Sequence, residues 1–239
     1  MIGGKVAIVT GGSRGIGHAI ARALLQQGAS VAITATSDDT LRTAAGELAS
    51  TTNDAAVLPI RADVRRHAEV EQAIEATVRH FGGLDVLVNN AGVGVFRPVA
   101  DMPVEDWHRI VDTNITGVFY CCRAALPHLR ARGGGWIINI SSLSAKHPFA
   151  DAAAYCASKA ALNAFSDALM QEVRHDGIRV ACVMPGSVRT EFSGRSAGQD
   201  DWKLAPDDVA RVVTDLISYP SRSLPSAVEI RSARPPKKS

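Results

Sequence analysis

The chain has 239 residues, 46 % hydrophobic and 21 % charged, with a net charge of +2; a soluble globular domain with a sizeable core is expected, and the charge is too mild for the basic face of a nucleic-acid binder. Its four cysteines, Cys121, Cys122, Cys156 and Cys182, have no paired spacing, so no metal site or disulfide framework is expected and a cytoplasmic location fits. The opening "MIGGKVAIVTGG" lacks the order of a signal peptide, and no apolar run approaches the roughly 18 residues of a membrane span.

In chain order, short runs rich in Val and Ile alternate with segments of helical period. The first run, "KVAIVT" (5–10), leads into glycines and then a helix marked by Ile16, Ile20, Ala23 and Leu24, which Gly28 stops. "SVAITAT" (30–36) and "AAVLPIRAD" (55–63) follow, and Val70, Ile74, Thr77, Val78 and Phe81 repeat the helical period before Gly82-Gly83. Next come "LDVLVNN" (84–90), a helical stretch around 104–131, "GWIINIS" (135–141), a second helical stretch around 152–175, "IRVACVMPG" (178–186) and "SAVEIRS" (226–232). Most runs are apolar on successive residues, as strands are when both sheet faces are covered. Strand–helix alternation over residues 1–239 predicts one α/β domain: a doubly wound, seven-stranded parallel sheet with helices on both faces. The long segment without clear period, 187–205, reads as a lid or binding loop. The tail "RSARPPKKS" reads as a solvated terminus.

Two stretches carry chemistry. Thr10-Gly11-Gly12-Ser13-Arg14-Gly15-Ile16-Gly17 sits at the first strand-to-helix turn. Glycines there let the backbone approach a pyrophosphate, and the helix N-terminus offers free N–H groups and a positive dipole end. Tyr155 and Lys159 stand four apart in a helical run. They share a helix face, and a nearby cation favours phenolate over a phenol whose ordinary pKa is about 10. A tyrosine tuned in this way serves as acid toward a carbonyl oxygen, or as base in reverse. Ser142 stands 13 residues before Tyr155 at a strand tip, with Ser141 as competitor. Strand alternation lets only one of the two face the site.

These motifs resemble the short-chain dehydrogenases/reductases: "TGGSRGIG", Asn89-Asn90-Ala91-Gly92, Asn114, Ser141-Ser142, Tyr155-x-x-x-Lys159 and Pro185-Gly186-Ser187-Val188-Arg189-Thr190, in the family's order and over most of the chain. The resemblance implies a catalytic set of Asn114, Ser142, Tyr155 and Lys159, with Lys159 also binding ribose hydroxyls. It implies that Asn114 bonds backbone in a distorted helix and holds a proton-relaying water. The cofactor would lie against Gly11, Ser13, Arg14, Gly15, Ile16 and Gly17, then Asp63 and Val64 at the adenine, then Asn90, Ala91 and Gly92. Pro185, Gly186, Val188 and Thr190 would hold the nicotinamide half. Asp63 reads equally as a helix cap.

An acid at the tip of the second strand would bond a ribose 2′-hydroxyl and repel a 2′-phosphate. Here the tip is Ala35-Thr36-Ser37, with Arg14 in the glycine loop. Thr36, Ser37 and a guanidinium suit a 2′-phosphate, so NADP(H) is favoured, and NAD(H) would gain if Asp38 or Asp39 turned toward the ribose. The expected substrate walls are Val93, Gly94, Leu143, His147, Phe149, Ser187 and Phe192, mostly apolar and without a fixed Arg or Lys cluster. The expected partners are a small-molecule carbonyl or alcohol and a second copy of the chain in a homodimer or homotetramer; neither nucleic acid nor membrane is expected. The C-terminal "LPSAVEIRSARPPKKS" replaces the family's Val-Asp-Gly-Gly-type ending, which puts the tetramer in doubt. Two rival readings remain. One is a 3-oxoacyl-carrier-protein reductase docking through Arg14, Arg123, Arg130, Arg132 and Lys146. The other is a regulator that senses NADPH without turnover.

Overall fold

The computed structural model describes residues 2–51, 56–192 and 201–236. Seven strands form one parallel sheet: β1 (Val6–Thr10), β2 (Ser30–Ala35), β3 (Val57–Arg61), β4 (Val86–Asn89), β5 (Gly135–Ile140), β6 (Ile178–Pro185) and β7 (Ala227–Ile230). Their order across the sheet is β3-β2-β1-β4-β5-β6-β7. The helices are α1 (Gly15–Gln26), α2 (Asp38–Ala49), α3 (His67–Phe81), α4 (Val104–Val111), α5 (Gly117–Ala131), α6 (Ala153–Val173) and α7 (Pro206–Ser218).

Strand composition explains the layering. In β1, Ala7 and Val9 pack on one face while Ile8 packs on the other; in β4, Val86 and Val88 oppose Leu87, and in β5 Trp136, Ile138 and Ile140 oppose Ile137. Both faces of the inner strands are buried, so these are apolar on successive residues, while the edge strands β3 and β7 alternate in burial; each fully buried aliphatic side chain contributes roughly 1.5–3 kcal/mol. One face receives α1, α2 and α7 through Ile20, Leu24, Leu48, Val213 and Ile217. The other receives α3, α5 and α6 through Val70, Ile74, Leu129, Leu162 and Leu169. Helix α3 ends at Gly82, whose φ of +82° lies in the left-handed region that glycine adopts without strain. All four cysteines are buried free thiols, and burial pushes Cys122 up to about 12.

The winding reverses between β1 and β4, which lie side by side with Ala7 opposite Val86. A sheet of this kind binds ligands outside the carboxyl ends of its strands at that switch point. Thr10 and Gly11 follow β1 there, and Asn90 to Gly92 follow β4.

Candidate active site

The glycine turn is held open from behind. Thr10 Oγ1 accepts from Asn90 N and Ala91 N at 3.0 Å each, and Asn90 Nδ2 donates to Thr10 O at 2.9 Å and Gly11 O at 3.1 Å. The Asn90 amide is therefore spent on positioning the loop. Gly11 and Gly15 have φ of +64° and +56°, conformations that a Cβ would strain. Helix α1 starts at Gly15 with Arg14 at its N-cap and no side chain capping it, so its first N–H groups face outward as a diphosphate requires. Beside Gly15, Thr190 would stand 3.4 Å from an added Cβ. The segment after β6 thus meets the glycine loop, and this cradle fits a dinucleotide.

At the β2 tip the acids have basic partners. Asp39 pairs with Arg42, and Asp38 lies 3.7 Å from Arg61. Arg61 Nε also donates to Thr36 O at 3.3 Å, which places a cation beside Thr36 and Ser37 that sequence reasoning did not single out. The Arg14 guanidinium lies 3.5 Å from Glu191, an exposed pair of little strength. Asp63 turns on Arg65, whose guanidinium and backbone N–H bond its carboxylate and hold it below the usual carboxylate range. Val64 is buried and packs against Gly117.

Asn114 lies in a π-helical segment, Asp112–Thr116, between α4 and α5. The widened turn aims its amide at the loop after β4: Oδ1 accepts from Val93 N and Nδ2 donates to Val93 O, each at 2.9 Å. Nδ2 also donates to Ser158 Oγ at 3.0 Å, which ties that loop to α6. A Cβ on Gly92 would stand 3.4 Å from Asn114 Oδ1 and 3.6 Å from Lys159 Nζ, so both atoms border one small space.

Strand alternation separates the two serines. Ser141 is buried and donates to Lys159 O at 3.3 Å. Ser142 turns to the site, where its Oγ accepts from Ser144 Oγ at 2.6 Å and from Ser144 N at 3.2 Å. The Ser142 and Ser144 side chains act on the Tyr155 phenol, each favouring its ionised form. Ser144 escaped sequence reasoning because nothing in the spacing reveals that the short turn after Ser142 folds it back.

The expected effect of Lys159 on the phenol is not what the site shows. Burial raises the Tyr155 pKa, outweighing the serine hydrogen bonds that lower it. Lys159 Nζ stands 5.9 Å from the tyrosine ring centroid and donates instead to Ile140 O at 2.8 Å. Burial also lowers Lys159 itself to about 8, since desolvation disfavours the ammonium.

This gives a stability signature. Between about 8 and the ordinary 10.5, the unfolded chain binds more protons at Lys159 than the folded one, so stability rises with pH. The cost of the buried charge is full below pH 8 and is relieved as pH climbs, on the order of 3 kcal/mol over the window. Above pH 10, the raised Tyr155 pKa acts the other way. Denaturant midpoints from pH 8 to 10 should therefore rise more steeply in the parent than in Lys159→Met; parallel curves would assign the slope elsewhere.

The substrate side is brought together in part. A Cβ on Gly94 would meet the rings of Phe192 at 2.8 Å and Phe96 at 3.2 Å, and Leu143 Cδ1 would lie 3.1 Å from a Cβ on Gly186. Val188 bridges to Leu204, and Leu204 N donates to Ser187 O at 3.0 Å, so the two ends of the 187–205 segment are joined. Residues 193–200 of that segment lie outside the described residues. His147 is exposed, with Nε2 2.9 Å from Arg231 Nη2, and Glu229 binds both Arg231 and Lys146. A small basic group therefore stands at this edge, contrary to expectation, because β7 brings Arg231 next to a loop 84 residues away. Phe96 is the other residue that was missed, a lone aromatic in a loop without period.

The family model described as short chain dehydrogenase matches residues 5–201. An uncharacterized oxidoreductase of Staphylococcus epidermidis is 35 % identical over 227 residues, covering 95 % of this chain and 96 % of the relative. Among solved structures, an alcohol dehydrogenase from the archaeon Thermococcus sibiricus, complexed with 5-hydroxy-NADP, has a TM-score of 0.89 at 32 % identity, over 98 % of this chain and 99 % of that one. A 3-ketoacyl-(acyl-carrier-protein) reductase from Brucella melitensis, complexed with NADH, has a TM-score of 0.90 at 30 % identity, with the same coverage.

Proposed function

The chain belongs to the short-chain dehydrogenase family, and we propose that it is an NADP(H)-dependent member that interconverts a ketone or aldehyde with its alcohol. One observation carries this reading: Lys159 Nζ, one helix turn from Tyr155, borders Gly92 together with Asn114, in the same loop whose Asn90 and Ala91 bond Thr10 at the glycine turn before the uncapped α1. Bound there, the nicotinamide supplies hydride to the carbonyl carbon, or takes it up in reverse. Gly11, Ser13, Arg14, Gly15, Ile16 and Gly17 would hold the diphosphate and Thr36 and Ser37 the 2′-phosphate. Asp63, Val64, Ala91 and Gly92 would take the adenosine side, and Pro185, Gly186, Val188 and Thr190 the nicotinamide side. Asn90 supports them from behind.

Tyr155 is protonated at neutral pH, as a phenol of ordinary pKa about 10 is, and burial raises that value further; this is the form that gives a proton to a carbonyl oxygen. Ser142 accepts from Ser144, leaving its own proton for that same oxygen as charge develops. Lys159 borders the space shared with Asn114 and faces the side where ribose hydroxyls would lie.

Support for NADP(H) comes from the partnered acids Asp38 and Asp39 and from Arg61 beside Thr36. Rates and dissociation constants for NADPH and NADH over a ketone panel test it. NADPH is expected to be preferred, and Thr36→Asp should cut that preference at least about tenfold, the factor carried by 1.4 kcal/mol. A parent enzyme that prefers NADH would overturn the cofactor assignment.

The carrier-protein alternative is supported by likeness to the Brucella melitensis reductase. Against it, three of the five docking residues, Arg130, Arg132 and Lys146, pair with separate carboxylates, Asp176, Asp85 and Glu229. A non-catalytic sensor has no use for the assembled Ser142 and Tyr155. We read the enzyme as a cytoplasmic homodimer or homotetramer, with exposed Trp107 and Phe119 on α4 and α5 supplying apolar surface for a second copy. Among the described residues, no helix is long and apolar enough to cross a membrane.

A further inference from the structure

Two phenylalanines from separate loops meet the Tyr155 ring, and a third from another loop stacks on one of them. Phe96 follows β4, Phe149 follows β5 and Phe192 follows β6. Phe96 meets Tyr155 edge-on at 5.5 Å between centroids, and Phe192 meets it tilted at 5.7 Å. Phe149 stacks on Phe96 at 5.9 Å with 29° between the planes. Gly94 lies beneath, where any side chain would collide with Phe192 and Phe96.

None of these rings is packed away. Phe96, Phe149 and Phe192 are 38 %, 54 % and 42 % exposed. A single exposed apolar residue needs no explanation, but a contiguous aromatic group beside reactive hydroxyls marks a binding surface. Charge lies at the rim of this group, in Arg97 beside Phe96 and in the Lys146–Glu229–Arg231 set. The rings themselves present aromatic carbon, at spacings that favour another ring in stacked or edge-on contact.

Resting on the reading of this site as a carbonyl oxidoreductase, we propose that its substrate is an aryl ketone or aldehyde, or the matching aryl carbinol. The aryl ring packs against Phe96 and Phe149, with the oxygen at Ser142 and Tyr155. Phe192 closes on the ring from the third side. A flat ring is selected over an aliphatic group of similar volume, because only the flat ring gains stacked or edge-on contact with the exposed phenylalanine rings.

The test compares acetophenone with cyclohexyl methyl ketone, which differ in the ring and little in size. Binding of each is measured by calorimetry in the presence of NADP+, where reduction cannot proceed, and kcat/KM is measured with NADPH. Acetophenone should be favoured about 3- to 10-fold in both. Phe96→Leu and Phe149→Leu keep apolar bulk without an aromatic face and should bring the ratio toward one. A parent ratio near one that neither substitution moves would overturn the proposal, as would tighter binding of an aliphatic acyl thioester than of acetophenone. Aryl preference in binding without turnover of any carbonyl compound would uphold the cage and sink the oxidoreductase reading, so the two failures are distinguishable.

Discussion

Tyr155→Phe should lower turnover about 10²- to 10⁴-fold, the range that general acid–base catalysis supplies, while leaving the fold and NADPH binding near those of the parent. The substitution removes one oxygen and keeps the ring. The contacts of that ring with Phe96 and Phe192 persist, as does the position of Lys159, which is anchored on Ile140 O. Ser142 and Ser144 still bond each other, so the stability cost stays near 1 kcal/mol. The measurements are kcat on the best ketone, the melting temperature and NADPH affinity by fluorescence. Turnover above a tenth of the parent value, in a folded variant that binds NADPH, would place the proton donor elsewhere.

The site owes its legibility to local spacing. Tyr155 and Lys159 share a helix turn, and the glycine turn sits where β1 meets α1, so both could be read within a window of a few residues. The strands were equally open to reading: burial on two faces removes polar alternation, and Ile8 beside Val9 or Leu87 beside Val88 advertises that directly. What escaped depends on long-range approach or on burial. Lys159 was expected to tune Tyr155 because the two are four apart, yet spacing reveals neither that Tyr155 is buried nor that the amine has a carbonyl to bond. Arg61 reaches Thr36 only because β2 and β3 are in register with Ala35 opposite Arg61. Phe96, Phe149 and Phe192 share no periodicity; the one available signal was that each lies in the loop after consecutive sheet neighbours β4, β5 and β6, whose carboxyl ends border one crevice.

Gly17→Ala tests the cradle as Tyr155→Phe tests the chemistry. A Cβ at Gly17 would stand 2.3 Å from Gly11 O and 2.4 Å from Asn90 Nδ2. The first contact is with backbone, and the second is with the amide that holds Thr10 and Gly11 in place. Neither can swing aside as a free side-chain end would, so α1 must move away from the turn or the turn must open. Overpacking of this kind costs typically 1–3 kcal/mol, which lowers the melting temperature of a domain this size by about 2–12 °C. The displaced turn should also weaken NADPH binding at least about tenfold, because the N–H groups that would meet the diphosphate shift with it. Gly46→Ala is the matched control. Gly46 lies in α2, exposed, with nothing within 4 Å of an added Cβ, so alanine there should stabilise by roughly 0.5–1 kcal/mol through backbone entropy and leave NADPH binding alone. If both substitutions behaved alike in melting temperature and in affinity, close approach of α1 to the glycine turn would not be what shapes the cofactor site.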